Sequence, residues 1–481
     1  MTRRFSLLVV CAVAASLSVE ATGQALKPRP SVGAPKPFIA PKVIEHTYPN
    51  AMRVALVPFS ATPTARIELV TRAGTSDEPV TQPTIAQVVG QLLLEGSRSR
   101  SAESIARLVS DLGVVGGSVS INTSSHETTL GVDVLPESAP RMIELLADLV
   151  RHPSFPQSAL DRAKSNMIRR FQAQRSQAEW LGTSRTNFLL FPGNPLDRVP
   201  AENEIQAVTL ASIAQFHAEY YAPNRSRLYV AGTFDRVNVE RAAREAFASW
   251  KKSSVPPFVL PKGSRLTERA APDRPVIHLI DRPGATQARV QVSFPVVDPP
   301  HPDHQVLNEI NTMMGSVQTA RVVANIRERN GYSYNIHTRL IRRPGSTQWA
   351  VVGDITNNVV GPALREIFGE ISRLRTEAPA PEELRAFQSF MAGVLVSENS
   401  TASGVLGSLR WMDLYGLNPG YLGRFIQDVY AVTPDAIQQV AARYLTPSRM
   451  VIVIVGDRKT IAKQLEEIGA VVDSDTSALH L

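Results

Sequence analysis

From Ile44 onward the spacing of apolar and polar positions switches between two periods. Ala51–Pro58 and Arg66–Arg72 alternate with period two, the spacing of strands. Ile85–Leu94 is an apolar helix, and Ala102–Leu112 is a second helix ended by Gly113. Gly116-Gly117 and Ser118–Asn122 lead into a strand, and Glu127–Val134 predicts another. Glu137–Arg151 is amphipathic, with Met142, Leu145, Leu146 and Leu149 as its apolar positions. A long helix follows Phe155-Pro156. Strands grouped between helices predict an α+β domain whose sheet is mainly antiparallel.

The pattern then repeats. Val208-Thr209, Ile213, Tyr220, Pro223, Arg225, Val230 and Gly232 recur 224 residues later as Val432-Thr433, Ile437, Tyr444, Pro447, Arg449, Ile454 and Gly456. Each copy reads as a Thr-capped helix, a Pro turn and an apolar strand ending in Gly. A long period with two copies means a duplicated domain rather than a solenoid. The homologous domains are assigned to 45–250 and 272–470. Lys251–Ala271, with Pro256-Pro257 and Pro261, reads as the linker, and 471–481 as a tail. Two such domains on a linker predict a clamshell around a shared cavity.

Composition narrows the class. A chain of 481 residues exceeds one core, and 43% apolar with 20% charged residues is ordinary for a folded protein. The net charge of +7 comes without a Lys/Arg block, so nucleic acid has little support as a partner. Arg3-Arg4, the apolar run Phe5–Val19 and the small residues Ala21-Thr22-Gly23 predict a cleaved signal peptide over 1–23, with no stable membrane anchor. The single cysteine, Cys11, lies within it, which excludes disulfide and thiol chemistry from the mature chain. Residues 24–44 are rich in Pro and Lys and read as an extended arm. The expectation is an exported, periplasmic protein.

Candidate chemistry centres on Asn325–Tyr334. Val322, Val323 and Ile326 are helically spaced, Asn330-Gly331 breaks the helix, and Tyr332, Tyr334 and Ile336 alternate like a strand. Arg327 on the last turn and Tyr334 early on the strand can therefore converge. A guanidinium fork and a phenol aimed at one point suit a substrate carbonyl or a developing oxyanion. A surface Arg and a half-buried Tyr are the alternative. Gly315, Ala320-Arg321, Ile326-Arg327-Glu328, Gly331 and Tyr334 together resemble the C-terminal half of the pitrilysin/insulinase family of zinc metallopeptidases, the inverted zincins. The resemblance covers nearly the whole mature chain. It implies that Arg327 and Tyr334 bind and polarise a peptide substrate.

The family's H-x-x-E-H zinc motif should lie in the first domain. Arg72-Ala73-Gly74-Thr75 and Asp77-Glu78-Pro79 resemble its approach, and Leu92, Leu93, Gly96 and Ser97 its exit. Between them Gln87 and Gln91 stand where the histidines should be and Gly90 where the glutamate should be. The third ligand should fall near Ile168, yet 162–177 has no carboxylate and five basic residues, and Ser120 replaces the Asn that borders the site. Elsewhere His301 and His304 sit at i and i+3, without a third ligand at matching spacing, and read as a polar helix start. No metal is expected in this chain. The resemblance implies the non-catalytic, zinc-less, substrate-binding subunit of a heterodimeric metallopeptidase that degrades peptides, with zinc in a homologous partner chain bearing an intact H-x-x-E-H. The alternative is a peptide-binding or scaffolding protein of the same fold with no catalytic assembly.

Overall fold

The computed structural model describes residues 36–59, 62–194, 197, 199–256, 258–260 and 274–474. The signal segment with Cys11, the arm before Lys36, most of the linker and the tail beyond Ser474 lie outside the described residues. The chain from Pro37 on is one unit.

Two six-stranded mixed sheets carry the architecture. The first holds β1 (Ile44–Thr47), β2 (Arg53–Pro58), β3 (Ala65–Thr71), β4 (Val115–Thr123), β5 (Thr128–Val134) and β6 (Ser226–Gly232), in the order β1-β2-β6-β3-β5-β4. The second holds β7 (Val276–Asp281), β8 (Gln287–Pro295), β9 (His337–Ile341), β10 (Gln348–Thr356), β11 (Val451–Gly456) and β12 (Ala470–Asp473), in the order β12-β7-β11-β8-β10-β9. The topologies match strand for strand through five positions. In each sheet the last long strand, β6 or β11, inserts parallel to β2 or β7 and antiparallel to β3 or β8. Only the outer edge differs. β1 pairs antiparallel with β2, whereas β12 pairs parallel with β7. The same sheet is thus completed from opposite ends of the chain. Val471–Asp473, assigned to the tail on sequence, belong to that edge strand.

Each sheet is covered on both faces, and one cover comes from the other half. Ile67 and Leu69 of β3 face the helices of their own half, among them Ile85–Leu92 and Ala139–Arg151. Val70 with Ala55, Val57, Tyr229 and Ala231 faces Val405 and Leu406 of helix Ala402–Tyr415, from the C-terminal half. Reciprocally, Val451, Val453 and Val455 of β11 pack on Leu190 and Leu181 of helix Ala178–Leu190, from the N-terminal half. Ala402 follows Ala178 by 224 residues, the spacing of the sequence repeat. The duplication therefore exchanges equivalent helices. This explains why β6 and β11 are buried along their whole length: a strand covered on both faces has no polar side to show.

The exchanged helix Ala402–Tyr415 also carries charge into the contact. Asp413 accepts hydrogen bonds from Arg53 (2.8 Å), Arg227 (2.8 Å), Arg72 (3.1 Å) and the Tyr229 hydroxyl (3.2 Å). One turn away, Arg410 donates to Glu68 (2.8 Å), Glu127 (2.5 Å) and Thr129 (3.0 Å), and Arg72 closes the ring to Glu127 (2.6 Å). Burial pushes the Asp413 carboxyl up, but Arg227, Arg53 and Arg72 outweigh it and hold it below its ordinary value. A carboxyl held low in the folded state contributes stability at neutral pH. That contribution is lost as pH falls below about 3.8 toward the folded-state value.

Removing Asp413 leaves three guanidiniums without their shared partner. Asp413→Ala is therefore expected to destabilise the chain, by a few kcal/mol at most, below the roughly 3–5 kcal/mol of a buried ion pair broken from one side, because Arg72 keeps Glu127 and Arg227 keeps Glu45. Denaturant unfolding at pH 7 checks this, and a variant as stable as the parent would contradict it. The cost should shrink in acid, where the parent's Asp413 is itself protonated.

Candidate functional site

The helix carrying the degenerate motif is fixed from its N-terminus. Thr84 precedes it in the left-handed region, with φ of 80°. The Glu78 carboxylate accepts from the N–H groups of Thr84 (2.9 Å) and Ala86 (3.0 Å), which satisfies first-turn donors that no earlier carbonyl can reach. Burial pushes this carboxyl up to about 7 in spite of those two bonds. Asp77 accepts from the Gly74 N–H (3.0 Å) and from Arg225 (2.9 Å). The Asp77-Glu78-Pro79 approach is thus a capping device for helix Ile85–Leu92, and its role survives the loss of the ligands.

On that helix Gln87 is half-buried and Gln91 is exposed. Both line a cavity of about 350 Å³ together with Ile121, Asn122 and Thr123 from β4 and Arg170, Phe171 and Gln174 from helix Gln157–Arg175. Arg170 donates to the Gln87 side-chain oxygen at 2.8 Å. Two sequence expectations shift here. Ile168 packs against the core, and the turn that faces the glutamines is Arg170 to Gln174, slightly further along the helix. The strand residue at the cavity is Asn122, not Ser120, whose hydroxyl instead donates to the Gly131 carbonyl (2.8 Å). The pairing of β4 with β5 is irregular between Val115 and Ser120, around Gly116 and Gly117 at positive φ.

Gly90 faces Thr123 so closely that a Cβ there would stand 2.3 Å from the Thr123 hydroxyl oxygen. That hydroxyl also meets the Thr128 hydroxyl at 3.1 Å. The packing has closed over the place a glutamate would need. Two neutral amides and a guanidinium do not fit zinc, which takes thiolate, imidazole or carboxylate donors. Among the described residues no three His, Cys, Asp or Glu side chains converge to hold a metal.

Arg327 and Tyr334 come together as the spacing predicts. The guanidinium lies over the Tyr334 ring, 4.4 Å from its centroid. The local backbone differs from expectation. Arg321–Val323 is α-helical, but Ala324–Arg329 is a π-helix, wider by one residue per turn. Asn325 is buried there and donates to Glu366 and Glu370, both at 2.9 Å. Tyr334 lies before β9 rather than on it. Ser333 donates to the Asp354 carbonyl (2.8 Å) and Asn335 donates to the Asp354 carboxylate (2.6 Å), so Tyr334 sits at the tip of a pinned bend, 79% exposed. Neither residue lines the Gln87–Gln91 cavity.

Residues 53–190 match the family described as insulinase (peptidase family M16), and residues 207–389 match its companion described as the peptidase M16 inactive domain. An uncharacterized zinc protease of Streptomyces coelicolor is 21% identical over 439 residues, 90% of this chain and 91% of its own. The fold aligns with a peptidase M16 inactive domain from Pseudomonas fluorescens at a TM-score of 0.76 and 20% identity, over 86% of this chain and 98% of that one. It aligns with a protease from Helicobacter pylori at 0.78 and 16% identity, over 87% and 100%. The chain belongs to the M16 peptidase family, the pitrilysin/insulinase group, and shares its fold of two homologous α+β domains.

Writing the motif back should not restore a metal site. In Gln87→His, Gly90→Glu, Gln91→His the new glutamate meets Thr123, Arg170 faces the new imidazoles, and the third carboxylate is still missing. Elemental analysis of the triple variant is expected to find far less than one zinc per chain, with a lowered melting temperature from the crowding at position 90. Stoichiometric zinc would show that another donor completes the site.

Proposed function

We propose that this chain is the zinc-less, substrate-binding subunit of an exported two-chain peptidase, paired with a homologous chain that carries an intact H-x-x-E-H. The observation that carries the reading is the division of the site. The motif cavity holds amides and a guanidinium, while Arg327 and Tyr334 are held together, exposed, and apart from that cavity. A 79%-exposed tyrosine on a braced bend is open to a partner outside this chain. In a paired assembly its phenol and the Arg327 guanidinium reach a peptide carbonyl at the partner's zinc. The apolar N-terminal run supports export.

The second reading is a peptide-binding or scaffolding protein with no catalytic assembly. Arg327 already has the Tyr334 ring and a 3.3 Å contact to Glu328, which suits a structural stack. The two readings differ in kinetics. Tyr334→Phe removes the hydroxyl and keeps the ring under the guanidinium. In the reconstituted pair it should lower kcat by about 10²-fold or more if the hydroxyl donates to the developing oxyanion. Arg327→Lys, which loses the planar fork, should do likewise. Melting temperature and pairing should stay at the parent values. Parent kinetics in Tyr334→Phe would remove the catalytic contribution and favour the scaffold.

A further inference from the structure

A second cavity, of about 650 Å³, opens in the C-terminal half between helices Asp303–Asn311, Pro381–Glu398, Ala402–Tyr415 and Tyr421–Ala431. This is the size of a pocket that takes a drug-sized ligand. One end is apolar, lined by Phe390, Met391, Leu395, Trp411, Leu422 and Phe425, with Phe390 45% exposed at the surface. Trp411 packs on the Tyr421 ring at 5.3 Å and extends the aromatic wall.

The other end carries Arg342. Its Nε donates to His304 Nε2 at 3.0 Å and its Nη2 to Asn308 Oδ1 at 2.7 Å. Both partners are neutral. The other ring nitrogen of His304 bonds the Val297 carbonyl at 3.0 Å, which makes Nε2 the acceptor. Burial, and then Arg342 beside it, pushes the ring down to about 3, so it stays uncharged at physiological pH. Arg72, Arg225, Arg227, Arg321 and Arg410, at buried or half-buried positions, each meet a carboxylate within about 3 Å, whereas half-buried Arg151 and Arg175, like Arg342, bond neutral acceptors. The neighbouring Arg343 pairs with Asp197 at 2.7 Å. Arg342 forms no ion pair among the described residues. Glu398 lines the same cavity without pairing with it.

The surroundings therefore orient a guanidinium beside an apolar pocket and bond it to neutral partners, with Glu398 acting on its charge from the same cavity without an ion pair. Part of the wall is a second π-helical turn, Thr312–Ser316. We propose that this cavity binds a carboxylate with an apolar body, in the form of the C-terminal end of a peptide, its free carboxylate on Arg342 and an apolar last side chain among Leu395, Trp411 and Phe425. A fatty acid shares both features, and the titration separates the two. The site belongs to this chain alone, so the binding is measured without a partner chain and does not depend on the paired-subunit reading.

Isothermal titration of the full chain tests it, with acetyl-Ala-Ala-Phe-Leu as the free acid, the same peptide as its C-terminal amide, and decanoate. The acid should bind at least about tenfold more tightly than the amide, the usual scale of a charge-assisted hydrogen bond. Arg342→Gln should remove that preference. Gly407 lines the cavity, and a Cβ there meets only open space. Gly407→Leu should therefore fill the pocket and abolish binding, with an equal or higher melting temperature because leucine is the better helix former. Equal affinity for acid and amide would overturn the proposal, as would unchanged binding in Gly407→Leu. Decanoate binding through Arg342 with no peptide binding would overturn the peptide assignment.

Discussion

One carboxylate on an exchanged helix organises the contact between the halves. Asp413 belongs to the C-terminal half by sequence, yet its partners Arg53, Arg72, Arg227 and Tyr229 all stand on the N-terminal sheet. Three guanidiniums close together repel one another, and Asp413 joins Glu127 and Glu45 in offsetting that repulsion. The N-terminal sheet thus has a face, part apolar and part charged, that helix Ala402–Tyr415 covers. The C-terminal sheet has the reciprocal need and meets it with helix Ala178–Leu190. Neither half covers both faces of its own sheet, so the duplication works as a pair within one chain.

This arrangement explains how a site can lose its chemistry while the frame remains. The caps that position helix Ile85–Leu92, Glu78 on its first turn and Asp77 under Arg225, are separate from the ligand positions. Replacing the ligands leaves the caps intact. The freed space is then consolidated: Arg170 bonds Gln87, and Thr123 closes against Gly90. The Arg327–Tyr334 element is held by different bonds, from Asn325, Ser333 and Asn335, and stays in place independently. The two elements have separate supports, so neither depends on the other for its place.

Much of this was legible in the sequence. The 224-residue repeat named the strands β6 and β11 and their leading helices, because apolar periodicity and a Thr cap leave local marks. The convergence of Arg327 and Tyr334 followed from a break at Asn330-Gly331. What was hidden depends on non-local partners. The helix exchange leaves no local signature, since a helix reads the same whichever sheet it covers. That Asn122 rather than Ser120 lines the cavity depends on how β4 sits against its neighbours, which local periodicity does not show. The π-turn at Ala324–Arg329 is set by Asn325 reaching Glu366 and Glu370, some forty residues on. The hydrogen-bond partners of Arg342 are a histidine and an asparagine on helix Asp303–Asn311, far back in the chain.

The central claim is that this chain serves a reaction whose metal lies elsewhere. The most direct measurement is purification of the chain from its native host with whatever co-purifies, followed by zinc analysis and peptide cleavage on the complex and on each separated chain. The account predicts zinc and the zinc-binding motif in the companion, cleavage by the complex, and neither zinc nor cleavage in this chain alone. Zinc held by the isolated chain, with cleavage that a chelator abolishes, would contradict it.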